Sequence, residues 1–139
     1  MAALIDTGFL LAVMDADDNL HELCLTALQQ QPDLLLPDVV IPELAYLVLR
    51  ELGYDVLAQF LRALALGELT IVQSQSTDLS RAAELLEQYA DSKVDFVDCV
   101  IVAISERLDI QRVLTVDQRH FRLFRPKHCD ALEIVPSIY

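Results

Sequence analysis

Four acidic residues of this chain stand at the boundaries of apolar segments. Asp6 and Asp117 each follow a short apolar run that is typical of a buried strand, and Glu43 and Asp98 fall in the first turns of amphipathic helical patterns. Carboxylate oxygens are hard ligands, which suit Mg²⁺ or Mn²⁺. Such ions activate water and stabilise charge on the attacking and leaving oxygens in phosphodiester hydrolysis. If the fold brings the four carboxylates together, we expect a metal-dependent site of that kind.

Strand-like and helix-like segments alternate along the chain, and this alternation must position the four acids. The predicted strands cover residues 2–5, 34–40, 69–72, 113–116 and 132–135. The predicted helices cover residues 7–14, the region around 21–28, 42–52, 54–66, 76–90 and 97–108. This order predicts an α/β fold with a parallel sheet that helices cover on both faces. The carboxyl ends of parallel strands share one edge, so the four acids can converge there.

Prolines and helix caps give more local expectations. Pro37 interrupts the second predicted strand and favours an edge or irregular position for it. Pro42 suits the first position of the next helix, which places Glu43 in the first helical turn. Asp18 or Asn19 is the expected N-cap of the helix around residues 21–28.

Two further helices raise questions about their acidic residues. Asp95 precedes the helix that carries Asp98, and capping of free backbone N–H groups is the simpler explanation for an Asp there. A supporting role for Asp95 in a metal site stays open beside it. In the helix at residues 76–90, Leu79 is assigned to the inner face and Asp78 to a solvated outer face.

Most of the basic charge in the second half of the chain falls in one predicted loop, residues 118–130. Its basic residues are Arg119, His120, Arg122, Arg125, Lys127 and His128. A basic loop beside an acidic site can hold phosphate. It can equally be a solvated loop that balances the charge of an acidic protein, and the sequence leaves both interpretations open.

The composition indicates a single ordered domain over residues 1–139. Apolar residues make up 54% of the chain, enough for a substantial core. The apolar runs are too short for a membrane span, and Asp6 interrupts the N-terminal run, so we expect a cytoplasmic protein with no membrane partner. The three cysteines lack a metal-site spacing and are expected to be reduced and structural.

The net charge of the chain favours some classes of partner and disfavours others. A formal net charge of −12 opposes nonspecific attraction to nucleic acid, because phosphate neutralisation dominates such binding. Part of this charge is explained if a cluster of carboxylates binds divalent cations. A basic protein would be a natural partner of such a surface.

The four acids and their neighbours resemble the motifs of the PIN-domain ribonucleases, especially the VapC-like toxins of type II toxin–antitoxin systems. The resemblance covers nearly the whole chain. It rests on Asp6 and Thr7 in LIDTGFLLA, Glu43 in VVIPELAYLV, Asp98 in VDCVIVAIS, and Thr115, Asp117 and Phe121 in TVDQRHF. Two positions depart from the usual pattern: Gly8 replaces a polar or bulkier residue, and Cys99 replaces a small Ala.

The resemblance implies a Rossmann-like three-layer α/β/α sandwich with a mainly parallel sheet. It implies a Mg²⁺- or Mn²⁺-dependent endoribonuclease, whose catalytic residues and ligands to one or two metal ions would be Asp6, Glu43, Asp98 and Asp117. Thr115 would steady this cluster by hydrogen bonding, with Asp95 in a supporting role. The implied partners are an RNA substrate, a cognate antitoxin if one is encoded nearby, and a second copy of the chain in a homodimer.

Other classes of protein share parts of this pattern. A housekeeping nuclease of the same family would keep the same acids. A non-catalytic partner-binding protein would keep the fold and cleave nothing, which the presence of all four acids disfavours. A receiver-type signalling domain would need adjacent acids after the first strand and an Asp after the third, and neither Asp6-Thr7 nor the segment after Val72 provides them.

Overall fold

Within residues 1–138, five short strands form a parallel sheet in the order β3-β2-β1-β4-β5. They are β1 (Ala2–Ile5), β2 (Asp33–Pro37), β3 (Thr70–Val72), β4 (Arg112–Leu114) and β5 (Glu133–Val135). The computed structural model describes residues 1–138, and Tyr139, which ends the short segment after the predicted strand 132–135, lies outside the described residues. All four strand pairings are parallel, which confirms the α/β class.

Helices connect the strands in two layers. The helices are α1 (Thr7–Met14), α2 (His21–Gln30), α3 (Val40–Leu52), α4 (Tyr54–Ala65), α5 (Ser76–Gln88), α6 (Phe96–Leu108) and α7 (Arg119–Leu123). Helices α1 to α4 form one connected group, and α5 packs against α6. The chain crosses from β1 through β2 to β3 and then returns to β4, so right-handed crossovers place the α5–α6 layer on the opposite face. The result is the predicted three-layer α/β/α sandwich.

None of the helices within residues 1–138 combines the length and the apolar character that crossing a membrane requires.

The middle strand and one helix form the centre of the core. Ala3, Leu4 and Ile5 of β1 are fully buried, because helices cover both faces of the central strand. Helix α6 is buried at every position from residue 97 to residue 105, so most of its length has no solvated face. Asp6 directly follows this strand, and Asp98 lies in this helix. Both acids are therefore attached to the most deeply packed elements of the fold.

The strands β1 and β4 lie side by side where the direction of the connections reverses. The chain leaves β1 toward β2 and leaves β4 toward β5, so a crevice opens between the two carboxyl ends. The register pairs Ile5 with Leu114, and the backbone N of Asp6 donates to the carbonyl O of Leu114 at 2.9 Å. Asp6 and Asp117 therefore follow neighbouring strands at the edge where α/β folds bind ligands.

The expectation of an edge position for Pro37 is wrong. Pro37 is the last residue of β2, and β2 lies between β1 and β3. The missing N–H of proline falls where the ladder ends. The next backbone N–H, that of Asp38, donates to the carbonyl O of Val72 at 2.9 Å, so pairing with β3 is kept.

Two helices begin at residues other than those predicted. Helix α3 begins at Val40, so Pro42 is its third residue and not its first, although Glu43 still lies in the first turn. The missing N–H of Pro42 remains among the first four donors that have no acceptor within the helix. The N-cap of α2 is Leu20, and neither Asp18 nor Asn19. Asp18 Oδ1 instead accepts from Leu20 N at 2.8 Å, in a turn just before the helix.

Helix α5 is rotated relative to the predicted orientation. Asp78 is only 2% exposed and Leu79 is 49% exposed, the reverse of the expectation. Asp78 accepts from Gln75 N in a capping box, and Arg107 Nε on α6 donates to Asp78 Oδ1 at 2.9 Å. This ion pair turns the Asp78 side of the helix inward, so Leu79, about 100° further round, faces solvent.

The predicted loop at residues 118–130 contains the helix α7. His120 and Phe121 are buried on this helix, and Phe124, which ends it, is fully buried. Their spacing of one and four positions places the three side chains on one face. The loop prediction is therefore wrong for residues 119–123, where an apolar face docks on the core between basic residues.

Candidate active site

Two hydrogen bonds hold Asp6 in place at the start of α1. Asp6 is the N-cap of α1, its Oδ1 accepts from Thr7 N at 2.8 Å, and its Oδ2 accepts from Thr115 Oγ1 at 2.8 Å. Only 7% of the residue is exposed. Burial raises the pKa of Asp6 to about 6; both hydrogen bonds oppose the rise, and the charges of Glu43 and Asp95 add to it. Both carboxylate oxygens are therefore fixed in a place that disfavours ionisation.

The start of α6 supplies two more carboxyls. Asp95 is the N-cap of α6, and its Oδ1 accepts from Asp98 N at 2.8 Å. Asp98 lies in the first turn and is 8% exposed. Burial first, and then the charges of Asp6, Asp95 and Asp117, together raise the pKa of Asp98 to about 8. Asp95 thus has the capping contact expected of it, and it also lies within electrostatic reach of the buried pair.

Glu43 and Asp117 form an exposed rim around the buried carboxyls. Both residues are exposed. The charge of Glu43 raises the pKa of Asp6, and the charge of Asp117 raises the pKa of Asp98, so each rim residue acts on one member of the buried pair. Among residues 1–138, however, no three His, Cys, Asp or Glu side chains are arranged closely enough to hold a metal ion. The acids share one edge of the sheet, but they do not form a complete ligand shell.

The donor set suits a hard divalent cation. Carboxylate oxygens are the ligands that Mg²⁺ and Mn²⁺ prefer, and a bound cation would offset the repulsion that raises the pKa values of Asp6 and Asp98. The hydroxyl of Thr7, next to Asp6, is buried and has no hydrogen-bond partner within the described residues. Buried polar atoms normally have a protein or water partner, so an ordered water at this edge would satisfy it. The residues present therefore fit such an ion.

A close approach of backbone to side chain explains Gly8, one of the two departures from the usual motif. A Cβ atom at Gly8 would lie 2.9 Å from Cγ2 of Val116, nearer than two carbon atoms can pack. The first turn of α1 therefore lies directly against the segment that follows β4. This contact brings the residues after the two neighbouring strands, among them Asp6 and Asp117, to the same place.

The sequence analysis named His120 only as one of the basic loop residues and gave Gln118 no role, and the contacts of both side chains at this edge were missed. His120 Nδ1 lies 2.8 Å from Asp98 Oδ2, and His120 is buried. Gln118 is also buried, and its Nε2 donates to the carbonyl O of Thr115 at 3.1 Å and to that of Pro136 at 2.7 Å. The helical spacing of His120 with the buried phenylalanines of α7 was the available signal. The contact with Asp98 joins residues far apart in sequence, and no local pattern encodes it.

A surface cavity of about 540 Å³ adjoins the rim. Its lining residues are Leu20, Val116, Asp117, Gln118, Arg119, Arg122 and Ile138. Two arginines thus lie beside a carboxylate of the acidic edge. Guanidinium groups suit phosphate recognition, so this cavity can receive an anion next to the carboxylates.

Comparison with known proteins agrees with this geometry. The family model described as PIN domain matches residues 3–125. The chain is 30% identical over 134 residues to Ribonuclease VapC26 of Mycobacterium tuberculosis (strain ATCC 25618 / H37Rv), covering 96% of this chain and 99% of the relative.

Solved structures share the fold. VapC20 of Mycobacterium tuberculosis, a Sarcin-Ricin loop cleaving toxin, matches with a TM-score of 0.78 and 21% identity over 86% of this chain and 92% of its own. A toxin–antitoxin complex from Klebsiella pneumoniae matches with a TM-score of 0.67 and 20% identity over 88% of this chain and 92% of its own. The fold, the extent of the family match and the identity to a VapC ribonuclease together show that this chain belongs to the PIN-domain family.

Proposed function

We propose that this protein is an endoribonuclease that hydrolyses RNA phosphodiester bonds with Mg²⁺ or Mn²⁺ held by Asp6, Glu43, Asp98 and Asp117. The observation that carries the proposal is the placement of two buried, mutually repelling carboxyls, Asp6 and Asp98, where the sheet connections reverse. Burying carboxyls together is costly unless cations or protons compensate them. Membership of the PIN-domain family and the identity to a ribonuclease support the same conclusion.

Each residue has a distinct part in the proposed reaction. The cation would supply an activated water and stabilise negative charge at the phosphate. Asp6 would provide fixed oxygens, because Thr115 and Thr7 hold its carboxylate at both ends. The exposed Glu43 and Asp117 would turn inward and complete the ligand set, which fits the incomplete arrangement of their side chains among residues 1–138. Asp95 would act in support, because it caps the helix that carries Asp98.

The substrate surface must overcome the negative charge of the protein. A net charge of −12 repels RNA phosphates at most of the surface. The cavity beside Asp117 carries Arg119 and Arg122, which can pair with phosphate oxygens. We propose that RNA approaches along this cavity and brings one phosphate to the carboxylate edge. An RNA-cleaving protein whose described cysteines are all free suits the cytoplasm, where we place its action.

A cognate antitoxin and a homodimer complete the proposal. VapC26 is named a ribonuclease of the VapC group, and one structural match is a toxin–antitoxin complex, so we propose that this protein is the toxin of such a pair. The α3–α4 region exposes Tyr46, Tyr54, Leu61 and Leu66, which an antitoxin segment or a second copy of the chain could cover. An inserted Arg would compete with the cation, because guanidinium pairs with carboxylates.

Cleavage of a labelled RNA by the purified protein tests the activity. We expect cleavage with Mg²⁺ or Mn²⁺, none with excess chelator, and none with Asp6→Asn. Asp55→Asn is the matched control, because Asp55 is an exposed Asp in the first turn of α4. Equal cleavage by Asp6→Asn and wild type, or cleavage unaffected by chelator, would contradict the proposal.

Thermal melts test cation binding without any substrate. A ligand that binds only the folded state adds about 2.7 kcal/mol of stability at a concentration one hundred times its dissociation constant. We therefore expect Mg²⁺ and Mn²⁺ to raise the melting temperature of wild type, and Asp98→Ala to lose most of that increase. A melting temperature unaffected by either ion at millimolar concentration would count against the site.

Co-expression tests the choice between a toxin and a housekeeping nuclease. The product of a small gene adjoining this one should form a complex with the protein and suppress RNA cleavage. A complex that cleaves RNA at the rate of the free protein would refute the proposed inhibition. An isolated gene with no such neighbour would favour the housekeeping nuclease.

A further inference from the structure

We propose that His120 is a positioning residue that fixes the orientation of the Asp98 carboxylate and thereby strengthens cation binding. The inference rests on the proposed function, because it concerns the same acidic edge. The contact that motivates it joins His120 Nδ1 to Asp98 Oδ2 at 2.8 Å. His120 is 7% exposed, so this is a contact in the interior and not a chance meeting of surface side chains.

The fold holds His120 in place independently of Asp98. Phe121 and Phe124, on the same side of α7, are buried, and the ring centroids of Phe124 and Tyr89 lie 5.0 Å apart in an edge-on contact. Before the helix, Gln118 is tied by its side chain to two backbone carbonyls. Helix α7 is therefore anchored on both sides of His120. The imidazole has a defined position from which to orient a partner.

The neighbouring arginine determines which ring nitrogen donates. Arg119 Nη2 lies 3.4 Å from His120 Nε2. A guanidinium has donors and no acceptor, so Nε2 must be the accepting nitrogen in this contact. The ring proton then lies on Nδ1, which donates to Asp98 Oδ2. Arg119 thus sets the tautomer that His120 needs in order to hold a carboxylate.

Asp98 needs such a contact because its surroundings repel it. The charges of Asp6, Asp95 and Asp117 all act on its carboxyl group. Without a donor, this repulsion favours rotation of the ionised group away from its neighbours and out of the position where a shared cation would bind. With Oδ2 held by His120, rotation about the Cβ–Cγ bond breaks a hydrogen bond. The histidine therefore acts on the carboxylate and has no need to touch a cation or the RNA.

The magnitude follows from the behaviour of groups that hydrogen-bond to metal ligands. Loss of such a partner typically weakens metal binding about 10–100-fold. We therefore expect His120→Leu to weaken Mn²⁺ binding by a factor of this order. The opposite result would follow if His120 only competed with the cation for Oδ2, because its presence would then weaken Mn²⁺ binding. Its removal would then tighten Mn²⁺ binding.

Calorimetric titration of the full-length protein with Mn²⁺ tests the inference without any activity measurement. The variants are His120→Leu, His120→Asn and His120→Gln. The Asn amide nitrogen stands near the position of Nδ1, whereas the Gln amide nitrogen reaches toward that of Nε2. We expect His120→Asn to bind Mn²⁺ within about threefold of wild type and His120→Gln to resemble His120→Leu. The Asn and Gln variants are both polar, so their comparison remains informative if His120→Leu does not fold.

A second histidine provides the matched control. His128 Nε2 lies 2.7 Å from the carbonyl O of Ile110, away from the acidic edge, so His128→Asn loses a similar contact and should leave Mn²⁺ affinity unchanged. Binding by His120→Leu as tight as or tighter than wild type, or equal binding by His120→Asn and His120→Gln, overturns this inference alone. Wild type that binds no cation overturns the proposed function together with it.

Discussion

Replacing Asp98 by Asn should make the stability of the metal-free protein less sensitive to pH. Folding raises the pKa of Asp98 from 3.8 to about 8, first by burial and then by the charges of Asp6, Asp95 and Asp117. Between these pH values the folded protein keeps a proton that the unfolded chain releases. The stabilisation from that proton is fully present below about pH 4 and is lost as the pH rises through about 8.

The expected size of the effect follows from this pH window. Each pH unit within it removes about 1.4 kcal/mol from the free energy of unfolding. Between pH 4 and pH 7, protonation of Asp98 alone thus accounts for roughly 4 kcal/mol. The pKa of Asp6 rises to about 6, so its protonation acts in the same direction over a narrower pH window. Small domains have a total stability of only about 5–15 kcal/mol, so the two carboxyls are major determinants of the pH profile.

Urea unfolding with a chelator present, at several pH values from 4 to 8, measures the effect. The stability of Asp98→Asn relative to wild type should rise by roughly 4 kcal/mol between pH 4 and pH 7, because Asn cannot ionise. Asp55→Asn removes an exposed carboxylate far from the site, and its difference from wild type should stay nearly constant. Parallel profiles for wild type and Asp98→Asn would refute the assignment of a buried proton to this carboxyl.

Substitutions at Asp6, Asp117, Asp95 and Gly8 address other parts of the site. Asp6→Asn and Asp117→Asn should each abolish metal-dependent RNA cleavage and keep or raise the melting temperature in chelator, since each removes mutual repulsion; full activity in both would show that these acids are misassigned. Asp95→Asn should keep most of the stability and activity, because Asn also caps helices, whereas an activity loss as large as that of Asp6→Asn would place Asp95 among the metal ligands. Gly8→Ala should lower the free energy of unfolding by about 1–2 kcal/mol in urea titrations, because the new Cβ would lie 2.9 Å from Val116 Cγ2, and Val116→Ala should restore much of the loss; a neutral Gly8→Ala would contradict the close approach.

The parts of the fold that sequence predicted best are those where local pattern and burial agree. The bounds of β1 and α1 match the prediction, because a short apolar strand, an Asp cap and an apolar helix follow one another without a competing signal. The position of Asp98 in the first turn of α6 was also predictable from helical spacing. The alternation of elements then fixed the parallel sheet and the edge at which Asp6 stands.

Three of the failures share one physical cause, which is contact between elements distant in sequence. Asp78 looked solvated because its partner, Arg107, lies on another helix. Thr115 and Val116 continue the apolar run of β4, but the ladder ends at Leu114, where Thr115 turns its hydroxyl to Asp6. The contact of His120 with Asp98 depends on the docking of α7. The charged residues of this segment led to the prediction of a loop in place of that helix. In each case a tertiary contact overrides a local preference.

The burial and mutual repulsion of the carboxyls destabilise the metal-free fold, and the same two features suit the site to a cation. Asp6 and Asp98 are attached to β1 and α6, the most deeply buried elements of the domain, and this burial also raises the pKa values of both carboxyls. At neutral pH the carboxyls must either stay protonated, and so lose their negative charge, or ionise and repel one another. A divalent cation would remove both costs, and protons would compete with it for the same oxygens. In the proposed function, the stability that the acidic edge costs the metal-free protein would therefore become part of the free energy that favours cation binding.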